Sequence, residues 1–172
     1  YRFLMSNSVN KKNNLEILIS TTKKNNLDFI EKIFFENTHD NLPILVVNQS
    51  EKTLESHNGN IRIINSNSKG LSNSRNLGIK NSYKKYCLFA DDDIIYKKGF
   101  YELIIKEFEQ NKNADIITFM MEDQYGNIFK NYKNQTKHDK KSIREVNSVV
   151  IAFRRESIIK NKIQFDPLFG LG

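Results

Sequence analysis

Scarcity bounds this chain before any motif does. Cys87 is the single cysteine among 172 residues, so no internal disulfide can form and a reducing, cytoplasmic setting is expected. It lies in an apolar run, which suits a buried inert thiol better than a nucleophile. With two prolines, 38% hydrophobic and 27% charged residues, the composition is that of an ordinary soluble globular domain. No apolar run approaches the ~20 residues that a membrane-spanning helix needs. The amino end, YRFLMSNSVNKKNN, has neither the apolar segment nor the small-residue cleavage site of a signal peptide. The chain begins with Tyr1 rather than Met, which fits a fragment.

Several kinds of chemistry are missing as well. There is no G-x-S-x-G for a serine nucleophile and no G-x-x-x-x-G-K-[ST] for a P-loop. His39, His57 and His138 lie far apart in polar sequence, read as surface, with no metal-ligand spacing. An EF-hand loop starting at Asp91 fails, because Ile95 and Tyr96 fall where an oxygen ligand and a glycine belong.

What is present is a moderate positive charge, +7, carried by scattered pairs such as Lys23-Lys24, Lys97-Lys98 and Arg154-Arg155. These favour anionic partners without forming the continuous stripe of a nucleic-acid binder, so no nucleic acid is expected. Short apolar runs predict strands at 15–20, 43–47, 61–64, 86–90, 116–121 and 146–153. Apolar residues at helical spacing predict helices over 27–36 (with Asn26 as a cap) and 100–108, and 73–85 and 156–161 are also read as helical. A turn is expected at 125–127 and a polar loop over 131–141. Strands alternating with helices argue for one α/β domain with a largely parallel sheet covered on both faces. Ligands of such sheets sit outside the carboxyl ends of the strands, which directs attention to 20–24, 48–50, 65–75 and 91–93.

Two of those places carry unusual chemistry. The first is Tyr86–Tyr96, YCLFADDDIIY, where three carboxylates interrupt an apolar run. In an extended strand Asp91 and Asp93 would share a face about 6.6 Å apart, with a repulsion of roughly 2–3 kcal/mol at an effective dielectric of 20. A divalent cation with oxygen ligands, Mg²⁺ or Mn²⁺, would offset it. By themselves the three aspartates fit a cation site or a solvated turn equally. The second place is Asn67–Gly78, NSKGLSNSRNLG. There Ser72 is expected to cap a helix whose first turn holds Arg75, and Arg75 with free helix N–H groups would seat a diphosphate. A capped helix bearing a surface arginine is the plainer alternative.

The segments LEILISTT, PILVVNQS, KGLSNSRNLGI, YCLFADDDIIY and FRRESIIKNKIQFDPLFGLG, in this order and spacing, resemble family 2 glycosyltransferases. The likeness runs from Leu15 to Gly172 and is strongest to bacterial enzymes that build surface polysaccharides. It implies a GT-A fold, a Rossmann-like three-layer α/β/α sandwich with a mostly parallel mixed sheet. Residues 1–14 would be irregular, 15–121 the donor-binding half, and 122–172 the start of an incomplete acceptor half. Carried over position by position, the resemblance puts Thr21, Thr22, Asn48, Ser50, Gly70, Asn73, Arg75, Asn76, Asp91 and Asp92 around a nucleotide sugar. It makes Asp93 the metal ligand, with Asp91 shared between metal and ribose. Asn48 stands where the family usually has a base-contacting Asp, so the UDP-sugar preference rests on a changed residue.

The activity implied is inverting, metal-dependent (Mn²⁺ or Mg²⁺) transfer of the sugar to a hydroxyl of a glycan or lipid-linked acceptor. It would take place in the cytoplasm, with contact at the inner face of the membrane left open. In the family the base follows the stretch matched here by Phe165–Gly170. Asp166 is the one acidic candidate for that base nearby, and it reads better as a turn residue before Pro167, so the base and much of the acceptor site are expected beyond Gly172, leaving a fragment with little or no activity. Two other functions compete. A sugar-phosphate nucleotidyltransferase would want glycine in the first loop, where Ser20–Lys24 has none. A non-catalytic nucleotide- or partner-binding α/β domain would leave the aspartates indifferent to metal.

Overall fold

In a computed structural model, which describes residues 14–56, 59–129 and 137–170, the chain folds as an α/β/α sandwich. Its elements are β1 (Leu15–Thr22), α1 (Asp28–Ile33), β2 (Ile44–Gln49), β3 (Ile61–Ser66), α2 (Leu71–Asn81), β4 (Tyr86–Asp91), α3 (Phe100–Gln110), β5 (Ile116–Thr118), β6 (Met121–Glu122), β7 (Ile128–Phe129), β8 (Ile151–Arg154) and α4 (Arg155–Lys160). The main sheet has the order β3-β2-β1-β4-β8-β5, and β6 pairs with β7 in a separate ribbon. β3, β2, β1 and β4 are mutually parallel, while β8 runs antiparallel to both β4 and β5.

The apolar runs are continuous because both faces of the sheet are covered. Seven of the eight residues of β1 are buried. Ile17, Ile19, Ile44, Val46 and Leu88 pack under α1 and α3 through Ile30, Ile33, Ile104 and Phe108. Leu18, Leu45, Phe89 and Phe153 face the other way, under Ile79 of α2 and Ile158 of α4. α2 packs on this face with Gly78 over Leu18, where a Cβ would sit at ordinary contact distance, 3.6 Å from the Leu18 side chain.

A carboxylate is sealed into this core. Glu16 is fully buried, accepts from Arg62 Nη2 at 2.7 Å and from the Tyr83 N–H at 2.8 Å, and Arg62 lies over the Tyr83 ring. A buried carboxylate of this kind survives only with partners. Cys87 is buried as its sequence suggested, and desolvation pushes its thiol up to about 12. Native protein is therefore expected to resist Ellman's reagent at pH 8, with one thiol appearing on unfolding. Because the folded value is raised, the stabilisation is fully present below the ordinary value of 9.0 and is lost as pH rises toward about 12.

The elements depart from sequence expectation mainly at their ends. The strand expected over 116–121 breaks after Thr118, where the Phe119 N–H turns to the Val150 carbonyl, and Met121 starts the ribbon. The first part of the strand expected over 146–153 is a 3₁₀ turn (Ser148–Val150), because the Asn147 side chain accepts from the Val149 N–H. α1 is shorter than its apolar spacing, although Asn26 Oδ1 does accept from the Asp28 N–H. α2 starts earlier and stops at Asn81, where Ser82 turns extended and its hydroxyl donates to the Ile79 carbonyl. The turn at 125–127 closes the β6–β7 ribbon. Of the loop at 131–141, residues 131–136 lie outside the described residues, as do His57 and residues 1–13. His39 and His138 are half-buried rather than surface: His39 stacks on Phe34, and His138 bonds Thr118. Among the described residues no helix is long and apolar enough to cross a membrane.

Candidate active site

From β1 the sheet grows outward to β2 and β3, whereas β4 lies on the opposite side of β1. The strand order therefore reverses between β1 and β4, and the carboxyl ends of those two strands flank the crevice where open α/β sheets bind ligands. The register pairs Ser20 with Asp91, so the polar end of the first strand and the aspartate cluster meet there.

The three aspartates are not equivalent. Asp91 ends β4, while Asp92 and Asp93 already lie in the turn that follows, so the two-residue alternation of an extended strand does not carry to Asp93. Asp91 is half-buried and accepts from Arg75 Nη2 at 3.1 and 3.4 Å. Desolvation raises its pKa, Arg75 opposes that rise by charge and hydrogen bond, and the Asp93 and Asp92 carboxylates add to it. Asp92 accepts from the Thr21 hydroxyl and pairs with Lys24 Nζ at 3.0 Å. Asp93 is exposed and has no partner among the described residues. Two local cations thus neutralise two of the carboxylates and leave one outward-facing charge.

Arg75 is the centre of this arrangement. It is only 6% exposed, its guanidinium carbon lies 5.9 Å from the Phe89 ring centre and 5.7 Å from that of Phe165, and its Nε is buried with no partner among the described residues. Burial lowers its pKa, opposed by Asp91. The helix that carries it begins differently from expectation. Gly70, at φ 92, precedes the first residue Leu71, and Ser72 does not cap it. Arg75 consequently sits in the second turn, beyond the reach of the helix-terminal dipole, and faces inward to Asp91. The Ser72 hydroxyl donates instead to the Phe169 carbonyl at 2.5 Å, and the Leu71 N–H donates to Gly170 O at 2.8 Å. The start of α2 is thus partly occupied by the chain's own 169–170 backbone.

The other sequence-named residues divide by what they hold. Asn48 is fully buried. It accepts from the Lys24 N–H at 3.2 Å and donates to the Lys24 carbonyl at 3.0 Å and to Asn65 at 3.4 Å, fixing the loop that carries Lys24. Thr22 donates to the Gln49 carbonyl and Ser50 accepts from the Lys52 N–H. Gly70 O accepts from Gln49 Nε2 at 3.0 Å. Asn73 donates to the Lys69 carbonyl, and Asn76 clamps Phe165 by a donor–acceptor pair at 2.8 and 2.9 Å. Asn73 and Asn76 therefore stand on a different face of α2 from Arg75. Asp166 is exposed and its Oδ1 accepts from the Leu168 N–H, which makes it the former of the 166–169 turn.

Lys24, Ser20, Ser74 and Gln49 lie within the stretches the sequence pointed to without being named individually, and Phe165 joins them from a distant part of the chain. Lys24 looked like one half of a surface pair. The Ser74 hydroxyl donates to the Ser20 hydroxyl at 2.9 Å in a buried contact that joins α2 to β1, and no local pattern announces such a bond.

A divalent cation at this site can be weighed against these side chains. Among the described residues no group of three or more His, Cys, Asp or Glu gathers to hold a metal ion. The donors do fit a hard cation that takes one or two carboxylates and completes its shell with phosphate oxygens and water: Asp93 has no partner among the described residues, and its charge is felt by Asp91.

The fold is shared with solved glycosyltransferases. Staphylococcus aureus TarS 1–349 superposes with a TM-score of 0.62 at 13% identity, covering 89% of this chain and 50% of its own. Its complex with UDP-GlcNAc gives 0.65 at 14% identity over 88% and 48%. The mannosyltransferase PcManGT from Pyrobaculum calidifontis, in complex with GDP-Man and Mn²⁺, gives 0.56 at 9% identity over 90% and 48%. At these identities the likeness shows the fold, and the chain spans about half the length of these relatives. No curated protein matches the sequence. The sequence pattern of one enzyme family matches from residue 8 to residue 168, taking in every strand and helix described above, and on that span the chain belongs to glycosyl transferase family 2.

Proposed function

We propose that this chain supplies the donor-binding half (residues 15–121) and the beginning of the acceptor half (122–172) of a glycosyltransferase. The substrate is a nucleotide-diphosphate sugar, and the sugar passes with inversion to a hydroxyl of a glycan or lipid-linked acceptor. The observation that carries this is the partly neutralised aspartate cluster, Asp91 with Arg75 and Asp92 with Lys24, set at the β1–β4 switch point. The TarS complex with UDP-GlcNAc and the PcManGT complex with GDP-Man and Mn²⁺ support it, since both share the fold.

In this assignment Thr21, Thr22, Ser50 and Gly70 line the nucleotide pocket. Asn48, being buried, holds the Lys24 loop beneath it, while Asn73 and Asn76 fix the wall at the start of α2. Asp91 and Asp92 are aimed at the ribose, with Arg75 keeping Asp91 in place. Asp93, with Asp91, would hold Mn²⁺ or Mg²⁺, whose chemistry is to carry positive charge against the diphosphate as it departs. Lys24 and Arg75 add fixed charge on the same side, pre-oriented before reaction. The acceptor oxygen bonds to the anomeric carbon as the carbon–diphosphate bond breaks, and its proton passes to a carboxylate base. Asp166, tied to the Leu168 N–H, serves the turn.

Calorimetry with UDP, GDP and CDP, with and without Mn²⁺, tests this. Mn²⁺ is expected to tighten binding of at least one diphosphate by tenfold or more, UDP first. If no nucleotide diphosphate binds in a metal-dependent way, the assignment fails. Tighter metal-dependent binding of UTP than of UDP would point to a nucleotidyltransferase instead.

A further inference from the structure

The groove between α2 and α4 lies on the side of α2 away from Arg75 and shares Asn73 and Asn76 with the wall of the donor site. While α2 turns Arg75 inward, Leu77 and Lys80 line a cavity of about 770 Å³ on its other side. Facing them are Arg155, which opens α4, and Lys162, just past its end. Among the described residues no Asp or Glu lines this cavity; Ser66 and Ser68 add hydroxyls, and Leu77, Ile158 and Ile163 give it apolar walls. The Lys80 and Lys162 ammonium groups have no partner among the described residues. Arg155 spends its Nε on the Ser82 carbonyl at 2.7 Å. Three cations around one cavity without a carboxylate repel one another unless an anion enters.

Lys162 supplies a second, independent observation. Its φ is 53, the left-handed region that disfavours residues with a Cβ. The Ile163 N–H reaches Ile158 O at 3.0 Å and the Lys162 N–H reaches Ile159 O at 3.1 Å, closing α4 in the pattern whose left-handed position glycine usually fills. A lysine is thus held in an unfavourable backbone state at the mouth of a cationic cavity. Non-glycine residues in such states cluster at functional sites.

We propose that the α2–α4 cavity binds a phosphate-bearing ligand, with the phosphate held by Lys80, Arg155 and Lys162 and its organic part against Leu77, Ile158 and Ile163. The phosphate can belong to a soluble ester or to a lipid headgroup, and the test separates the two. Metal-free calorimetry with pyrophosphate and co-sedimentation with phosphatidylglycerol vesicles, against phosphatidylcholine vesicles, are run on the full chain. The variants are Lys162→Gly, the pair Lys80→Ala with Lys162→Gly, and a control pair, Lys106→Ala with Lys112→Ala, which lies outside the cavity. The double cavity variant is expected to lose at least tenfold in binding, the control pair to lose less than twofold, and metal-dependent nucleotide binding to stay unchanged. Lys162→Gly alone is expected to raise the melting temperature while weakening binding, so lost folding cannot account for the loss. Loss of pyrophosphate binding identifies a soluble phosphate, and loss of phosphatidylglycerol binding alone identifies a headgroup. Unchanged binding in the double variant, an equal loss in the control pair, or no binding of either probe by the parent chain would overturn the proposal.

Discussion

Arg75→Met is expected to lower the unfolding free energy by about 2 kcal/mol and to weaken metal-dependent nucleotide binding roughly 30-fold. Methionine keeps much of the side-chain volume between Phe89 and Phe165, so packing changes little. What goes is the cation that Asp91 faces at 3.1 Å. Removing one member of a buried ion pair typically destabilises by about 3–5 kcal/mol; Asp91 keeps 31% of its side-chain surface in solvent, so screening reduces the figure. The Asp91 carboxyl then feels burial and the neighbouring aspartates without its counter-charge, and its orientation toward the crevice is lost. Arg75→Lys is expected to fall between parent and methionine, because an ammonium restores charge but not the planar fork. Urea denaturation and calorimetry with UDP and Mn²⁺ provide the two readouts. A methionine variant with unchanged urea midpoint and unchanged affinity would remove Arg75 from the positioning role.

Asp93→Ala separates metal binding from folding. Asp93 is exposed and makes no partner contact among the described residues, so stability is expected to stay within about 0.5 kcal/mol of the parent. Removing one of the charges that raise Asp91's pKa eases the local repulsion slightly. The nucleotide, by contrast, is expected to lose its Mn²⁺ response, a drop of about a hundredfold in affinity at saturating metal, or roughly 2.7 kcal/mol. Binding without metal should hardly change. A full Mn²⁺ response in Asp93→Ala would place the cation on Asp91 and reverse the two roles.

The two substitutions rest on one physical point. Three consecutive carboxylates looked, as sequence, like a charge excess that a metal would have to offset. In the fold two of them are met by Arg75 and Lys24, which offsets part of the repulsion although burial still holds the Asp91 pKa above its ordinary value, and Asp93 has no partner among the described residues. This is the economy expected of a site whose cation arrives together with a diphosphate rather than residing in a protein-made cage.

Much of this was already settled by the order of residues along the chain. LEILIS, PILVV and YCLFA are uninterrupted apolar runs too short for helices, and only a sheet covered on both faces can bury them; that fixed the α/β class and the placing of polar loops at the carboxyl ends of the strands. The aspartate run, the glycine-flanked NSKGLSNSRNLG and their spacing pointed to the family. Tertiary structure alone decided the rest. Whether Arg75 faced solvent or Asp91 depended on where α2 begins, and Gly70 at φ 92 moved that start ahead of Ser72. Lys23-Lys24 has no local feature to distinguish it from any surface pair; Asn48 and the Gln49 carbonyl, from the neighbouring strand, hold the loop from which Lys24 reaches Asp92. Phe165 and Lys162 acquire meaning only once residues 155–170 fold back on α2, through bonds such as Asn76 to Phe165 across 89 positions. Strand and helix identity follow from patterns within a few residues, which sequence displays. Charge pairing and cavity walls join residues distant along the chain, and those distances are set only when the sheet is assembled.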